Sequence, residues 1–288
     1  MERKLKLRTF AKANLSLNIT GKRDGMHTLD SVMISLDCFD TVTVTERGDS
    51  RIEVVFRNAD IGADNTAYRA ARAVQEKIGG GWDIDIEKGI PVGAGLGGSS
   101  ADAAAVLRAL DVMYKLPERG VNMREVALSV GSDVPFMLTG GLARVEGIGE
   151  ELFFMENKLT VFAVGIMCGE VSTKRAYELF DELYPSHRHC PTDNFEMCEY
   201  ILDGYGKALE LVDNALYAPA VRLVPEIADA AALLRSCGAH VSLTGSGGMV
   251  LGYFTDIAKL SACVETLRGK RDFRVFTSVK TGVLHEWL

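Results

Sequence analysis

Alternation of apolar and polar residues is clearest over 82–87, where Trp82, Ile84 and Ile86 share one face and Asp83, Asp85 and Glu87 the other, the period of a half-buried strand. The runs 42–45 and 51–56 read as strands as well. Between them and residue 82 the period changes. Ala67, Ala70, Ala71 and Val74 fall at helical spacing while Arg69, Arg72, Gln75 and Glu76 take the opposite side, which predicts an amphipathic helix over 65–78. Lys88, Gly89 and Pro91 break the chain before a glycine-rich loop, and an alanine-rich helix follows over 101–110. A new apolar strand starts at Leu159, and helices follow around 177–183, 193–202 and 226–236. The segment 187–193 reads as an exposed, mobile loop. A composition shift near Lys158 divides the chain into 1–157 and 158–288, and periodicity alone gives an α+β class.

Composition narrows the class of ligand. With 288 residues and 47% hydrophobic content the chain can bury one large core or two. A formal net charge of −7 leaves no basic surface for nucleic acid or anionic lipid, so a phosphate-bearing ligand has to be held by local geometry. Six cysteines without a CxxC pair fit reduced thiols rather than a disulfide framework. His187, His189 and Cys190 have no second cluster at zinc-like spacing, so a solvated loop is the default reading there. The basic N-terminus is not followed by an apolar signal core, and the apolar run 159–168 is too short to span a bilayer. The expected location is cytoplasmic, without membrane or nucleic-acid partners.

The strongest chemical signal lies at 91–110. Gly93, Gly95, Gly97 and Gly98, interleaved with Ala94 and Leu96 after Pro91, let backbone N–H groups turn toward an anion. Ser99 and Ser100 stand where the following helix wants its N-cap, and that helix N-terminus adds unpaired N–H groups. The spacing 93-x-95-x-x-98 also satisfies the dinucleotide fingerprint, but the preceding strand alternates instead of running continuously apolar. No Gly-Lys-Ser/Thr follows the glycines, which excludes a P-loop. A tight turn for helix packing is the alternative that needs no ligand.

The segment 91–105 resembles the second motif of the GHMP kinases, and three further segments agree in order. Residues 11–37 are similar to the first motif of one branch, the 4-diphosphocytidyl-2-C-methyl-D-erythritol kinases; 131–150 resembles the segment with its catalytic aspartate; 243–254 resembles the third motif. A branch-specific substrate segment is matched by 169–183. The resemblance implies an α+β two-domain fold: a ribosomal S5 domain 2-like N-terminal domain and a ferredoxin-like C-terminal domain, with the active site in the cleft between them. It implies ATP and Mg2+, with the metal ligands unknown, and a small cytidine diphosphate-linked polyol phosphorylated on its 2-hydroxyl. A GHMP kinase for another alcohol and a non-catalytic ATP-binding relative are the alternatives; oligomeric state is open.

By the same resemblance Asp133 matches the catalytic base and Lys12 its electrostatic partner, whereas a turn or N-cap aspartate and a solvated lysine are the plain alternatives. Lys12 shares a strand face with Phe10 and Asn14, and alternation does not decide whether that face meets solvent or a cleft. Asn65 matches a position near the adenine, or caps a helix. Gly245, Ser246, Gly247 and Gly248 would close the site, or form a bare hairpin turn. His27 keeps the branch's cytosine-recognising histidine, while Met26 replaces the aromatic residue before it. Tyr177 aligns with the second stacking aromatic, Asn14 and Thr173 are further substrate candidates, and the branch's Asn-Asp element is altered at 212–216.

Overall fold

A computed structural model describes residues 3–287. It opens with one long antiparallel hairpin, β1 (Lys4–Arg23) and β2 (Met26–Glu46), followed by β3 (Ile52–Phe56), α1 (Thr66–Ile78), β4 (Trp82–Glu87) and α2 (Gly98–Tyr114). Two short helices, α3 (Met123–Val130) and α4 (Val134–Thr139), lead into the pair β5 (Leu142–Gly147) and β6 (Glu151–Met155). Then come β7 (Phe162–Met167), α5 (Thr173–Leu183), α6 (Asn194–Leu202), the two-residue β8 (Asp213–Asn214), α7 (Tyr217–Leu223) and α8 (Glu226–Ser236). The chain ends in β9 (His240–Leu243), β10 (Met249–Phe254), α9 (Ile257–Leu267), β11 (Arg274–Val279) and β12 (Val283–Trp287). Among the described residues no helix is long and apolar enough to cross a membrane.

β2 is long enough to serve several partners. One edge pairs with β1; the other takes β5 along residues 29–34, β11 at 35–36 and β4 along 41–46. β11 then passes the sheet to β7, β10 and β9, so strands from both halves of the chain share one hydrogen-bonded path. β12 returns to the free edge of β1. The sequence reading found only fragments of the opening hairpin. From Thr9 to Asn18 β1 is buried on both faces, and a strand with no solvent side loses the two-residue period that would announce it.

Two other expectations are corrected. Ser99 and Ser100 do not cap α2: the helix already begins at Gly98, and Gly97, in the left-handed region at φ 73°, holds the cap position without a side-chain bond. The two serines therefore sit in the first turn, where backbone N–H groups have no intrahelical acceptor. The segment 187–193 is not a free loop but a strap on β1. His189 and Ile19 exchange both backbone hydrogen bonds, Thr192 is buried, and Asn18 Nδ2 donates to the Thr192 carbonyl at 2.8 Å. The largest core packs α1, α2 and α3 on the strands around β1 and β2, while a second core beneath α8 and α9 draws on residues from Val164 to Leu267.

Candidate active site

The glycine loop is pinned between the two cores. Lys12 N donates to the Leu96 carbonyl at 3.0 Å, Thr244 Oγ1 to that of Gly95 at 3.2 Å, and Met249 N to that of Ala94 at 3.2 Å. Gly95 has φ 76°, and a Cβ there would lie 2.2 Å from the Thr244 carbonyl oxygen; only glycine lets the two backbones approach so closely. The loop forms one wall of a cavity of about 530 Å3, to which Pro91 and every residue from Gly93 to Ser100 contribute. The N-terminus of α1 meets the same cavity through Asn65 and Thr66, and Thr66 Oγ1 donates to the Ser99 carbonyl at 2.5 Å. Asn65 also caps α1, its Oδ1 accepting from Tyr68 N at 2.9 Å, so it combines the two roles that the sequence left as alternatives only in the sense that it both caps and lines the cavity.

Opposite the loop stand Lys12 and Asp133, with Nζ and Oδ2 3.6 Å apart. The lysine side chain is 4% exposed and the aspartate 29%, and Lys12 and Asn14 meet a cleft and not solvent, whereas Phe10 packs edge-on to Phe39 outside it. Asp133 precedes α4 but makes no side-chain cap bond, leaving its carboxylate turned to Lys12. Asn14 fixes the ammonium: its Oδ1 accepts from Lys12 Nζ at 2.6 Å and from Gly245 N at 3.0 Å, while its Nδ2 donates to Ser31 Oγ at 2.8 Å. The altered element at 212–216 supports the same turn, since Asn214 Nδ2 donates to the carbonyls of Leu243 and Gly245.

Sequence reasoning missed a charged cluster under the loop. Lys88 Nζ bonds the buried carboxylates of Asp40 and, at 2.6 Å, Asp102 in the first turns of α2. Burial, reinforced by Asp40 and opposed by the Lys88 ammonium, pushes the Asp102 carboxyl well above the ordinary carboxylate range. Its Oδ1 is, among the described residues, the buried side-chain oxygen that finds no partner. Lys88, Asp102, Asp64 and Arg69 all reach the cavity. The only local cue was an acidic residue within the alanine-rich, buried stretch of α2; nothing in the spacing joins 40, 88 and 102.

At the other end of the cleft, Thr173 Oγ1 and Ser246 Oγ are 2.8 Å apart, bridging α5 and the turn between β9 and β10. That turn is both a hairpin connection and a cavity wall: Gly245 and Ser246 line the space, whereas Gly247 is buried behind them against Leu243 and Val171. Tyr177 lines the cavity, and burial pushes its hydroxyl pKa up. His27 does not line it. Its ring stacks on Tyr177 with centroids 4.6 Å apart, too close to admit a base between them, and bonds Asp181 through Nε2 at 2.8 Å. Met26 is exposed at the tip of the β1–β2 hairpin, outside the cavity wall. His187, His189 and Cys190 do not converge: His187 bonds Asp181, His189 stacks on Tyr184, and Cys190 Sγ lies by the Ile19 carbonyl.

A family model described as GHMP kinases N terminal domain matches residues 65–141, which span α1, the loop, α2 and Asp133. A 4-diphosphocytidyl-2-C-methyl-D-erythritol kinase from Chlorobium chlorochromatii is 34% identical over 271 residues, covering 91% of this chain and 93% of its own. One of the same name from Delftia acidovorans is 35% identical over 285 residues, covering 96% and 95%. The crystal structure of a 4-(cytidine 5'-diphospho)-2C-methyl-D-erythritol kinase superposes with a TM-score of 0.77 at 31% identity, over 96% of this chain and 99% of that one. A homoserine kinase from Cytophaga hutchinsonii, 16% identical, shares the fold at a TM-score of 0.70, over 99% and 98%.

Proposed function

The chain belongs to the 4-diphosphocytidyl-2-C-methyl-D-erythritol kinases, ATP-dependent phosphotransferases with the α+β GHMP kinase fold, and from this premise we propose that it phosphorylates the 2-hydroxyl of that cytidine diphosphate-linked polyol. The observation that supports this most is the Lys12–Asp133 pair, 3.6 Å apart and facing the glycine loop across one cavity.

In this reading the triphosphate lies along residues 93–100, where loop amides and the N-terminus of α2 meet its charge. Asn65 and the start of α1 flank the nucleoside, and Arg69 adds a cation at the rim. The acceptor hydroxyl sits between Asp133 and the γ-phosphate. Asp133 takes its proton as the new P–O bond forms and the bond from the γ-phosphorus to the β,γ-bridging oxygen breaks, releasing ADP; Lys12, oriented by Asn14, donates a hydrogen bond to the acceptor oxygen and stabilises its developing charge. Thr173, Tyr177, Gly245 and Ser246 hold the polyol and its nucleotide end.

The hydroxyl-bearing Ser99 and Ser100 line the cavity at the start of α2, and we assign them to Mg2+ bound with the phosphates. The cation would neutralise charge on the transferring group. The division at 157/158 belongs to the same proposal, supported by a second core built entirely from residues beyond 158. A different alcohol is the second reading, favoured by Met26 at the position where the branch has an aromatic residue.

Coupled ADP release decides between them. Turnover with 4-diphosphocytidyl-2-C-methyl-D-erythritol, and not with homoserine, mevalonate or galactose, is the expected result. Silence on the cytidine compound with activity on another alcohol would overturn the substrate assignment.

A further inference from the structure

One polar junction beside the cleft has no part in phosphoryl transfer as described. Asp181, on the face of α5 one turn beyond Tyr177, collects three donors from three segments. Its Oδ1 lies 2.8 Å from His27 Nε2 on β2 and 2.7 Å from His187 Nδ1 on the strap, and its Oδ2 accepts from Lys22 Nζ on β1 at 2.6 Å. Against the cost of partial burial, the hydrogen bonds from Lys22, His27 and His187 hold the Asp181 carboxyl far below the ordinary carboxylate range. The ammonium already on Oδ2 opposes a divalent cation at the same carboxylate.

An ionised carboxylate can only accept, so both imidazole nitrogens facing it must carry hydrogen. For His27 this puts the proton on Nε2 and leaves Nδ1 as a lone pair in the neutral ring. Among the described residues Nδ1 has no hydrogen-bond partner, and it is not among the side-chain atoms sealed from solvent. The ring itself is clamped, stacked on the cavity-lining Tyr177 and edge-on to Phe180 at 5.8 Å, so its orientation is fixed by packing.

We propose that Asp181 is a positioning residue that fixes the tautomer of His27, so that Nδ1 accepts a hydrogen bond from the exocyclic amino group of a cytosine and disfavours the carbonyl that uracil carries there. The proposal rests on the cytidine substrate read above. The resemblance of the hairpin segment makes His27 the histidine of the cytosine end; the new element is what decides which hydrogen-bonding sign it shows.

Asp181→Asn reverses that sign with almost no change of shape. Lys22, which can only donate, keeps the amide oxygen, and the amide nitrogen then donates to His27 Nε2 and drives the proton to Nδ1. With the cytidine substrate and its uridine counterpart, the variant is expected to raise KM for cytidine about tenfold, hold kcat within about twofold and shrink the cytidine preference at least tenfold. Asp181→Glu restores most of the preference. An equal rise in both KM values, or an unchanged ratio, would overturn the proposal, because a merely structural carboxylate has no reason to distinguish the bases. Independently of any variant, 15N spectra of the five histidine side chains in the wild-type protein should show His27 as the Nε2–H tautomer. An Nδ1–H form would refute it. Absence of wild-type turnover on the cytidine compound would instead count against the substrate reading, while the spectrum still decides the tautomer.

Discussion

Replacing Asp133 by Asn removes the proton acceptor while keeping size and hydrogen-bonding shape. At 3.6 Å and an effective dielectric of about 20, the attraction between Lys12 and Asp133 is about 5 kcal/mol before the cost of desolvating both groups. Most of that gross figure is offset in the folded protein, because Lys12 also holds Asn14 Oδ1 at 2.6 Å and keeps this bond in the variant. The net loss of stability should therefore be about 1–2 kcal/mol, a fall in Tm of a few degrees for a chain of this length. The chemical step loses more: without a base at the acceptor oxygen, kcat should drop by about 100- to 10,000-fold. ATP affinity should stay within about threefold, because the loop is pinned by Lys12 N, Thr244 and Met249 and not by Asp133. Coupled ADP release gives kcat, and calorimetric titration with a non-hydrolysable ATP analogue gives the affinity. A folded variant whose kcat stays within tenfold of wild type would remove Asp133 from proton transfer. Loss of nucleotide affinity in step with kcat would make it a nucleotide or cation ligand instead.

Gly95→Ala places a methyl group 2.2 Å from the Thr244 carbonyl oxygen at φ 76°, where an L side chain costs about 1–2 kcal/mol even without the clash; ATP affinity should fall at least tenfold by titration, and wild-type affinity would contradict the phosphate-cradle assignment. Asp102 has a folded pKa above its unfolded value, so the stability linked to its proton is complete below about pH 4 and is lost as pH rises through the raised folded value. Asp102→Asn should flatten that decline in urea-unfolding free energies measured across pH; an identical slope in both proteins would contradict the buried-acid account. Met26→Tyr restores a flat surface at the hairpin tip and should lower KM for the cytidine substrate by about two- to tenfold if the tip folds over the base, whereas an unchanged KM would keep residue 26 out of recognition.

Several helices with one face in water were legible, although α3 and α9, equally half-exposed, were not read from the sequence. The period in 65–78 recovered α1 with Asn65 as its cap, and 226–236 coincided with α8, because a half-exposed helix must write its solvent side into the sequence. The glycine loop was legible for a related reason: glycines in the left-handed region cannot be exchanged for ordinary residues, so the requirement shows in composition. The opening hairpin was not legible, since β1 is enclosed on both faces, nor was the first helical residue of α2, which Gly97 sets through backbone conformation and not through a capping side chain.

Local pattern by itself determined the amphipathic elements, the phosphate loop and the residue types able to move a proton. Tertiary structure decided which of them meet. Lys12 and Asp133 lie on separate elements more than a hundred residues apart, and only the packing of β1 beside α4 turns a strand lysine and a turn aspartate into a pair. The same holds for Asp181, which lies within the matched segment 169–183 but was not singled out there. Its three partners come from β1, β2 and a strap, and a carboxylate acquires its acid–base character from the charges and donors that folding brings to it, a quantity with no expression in the order of residues along the chain.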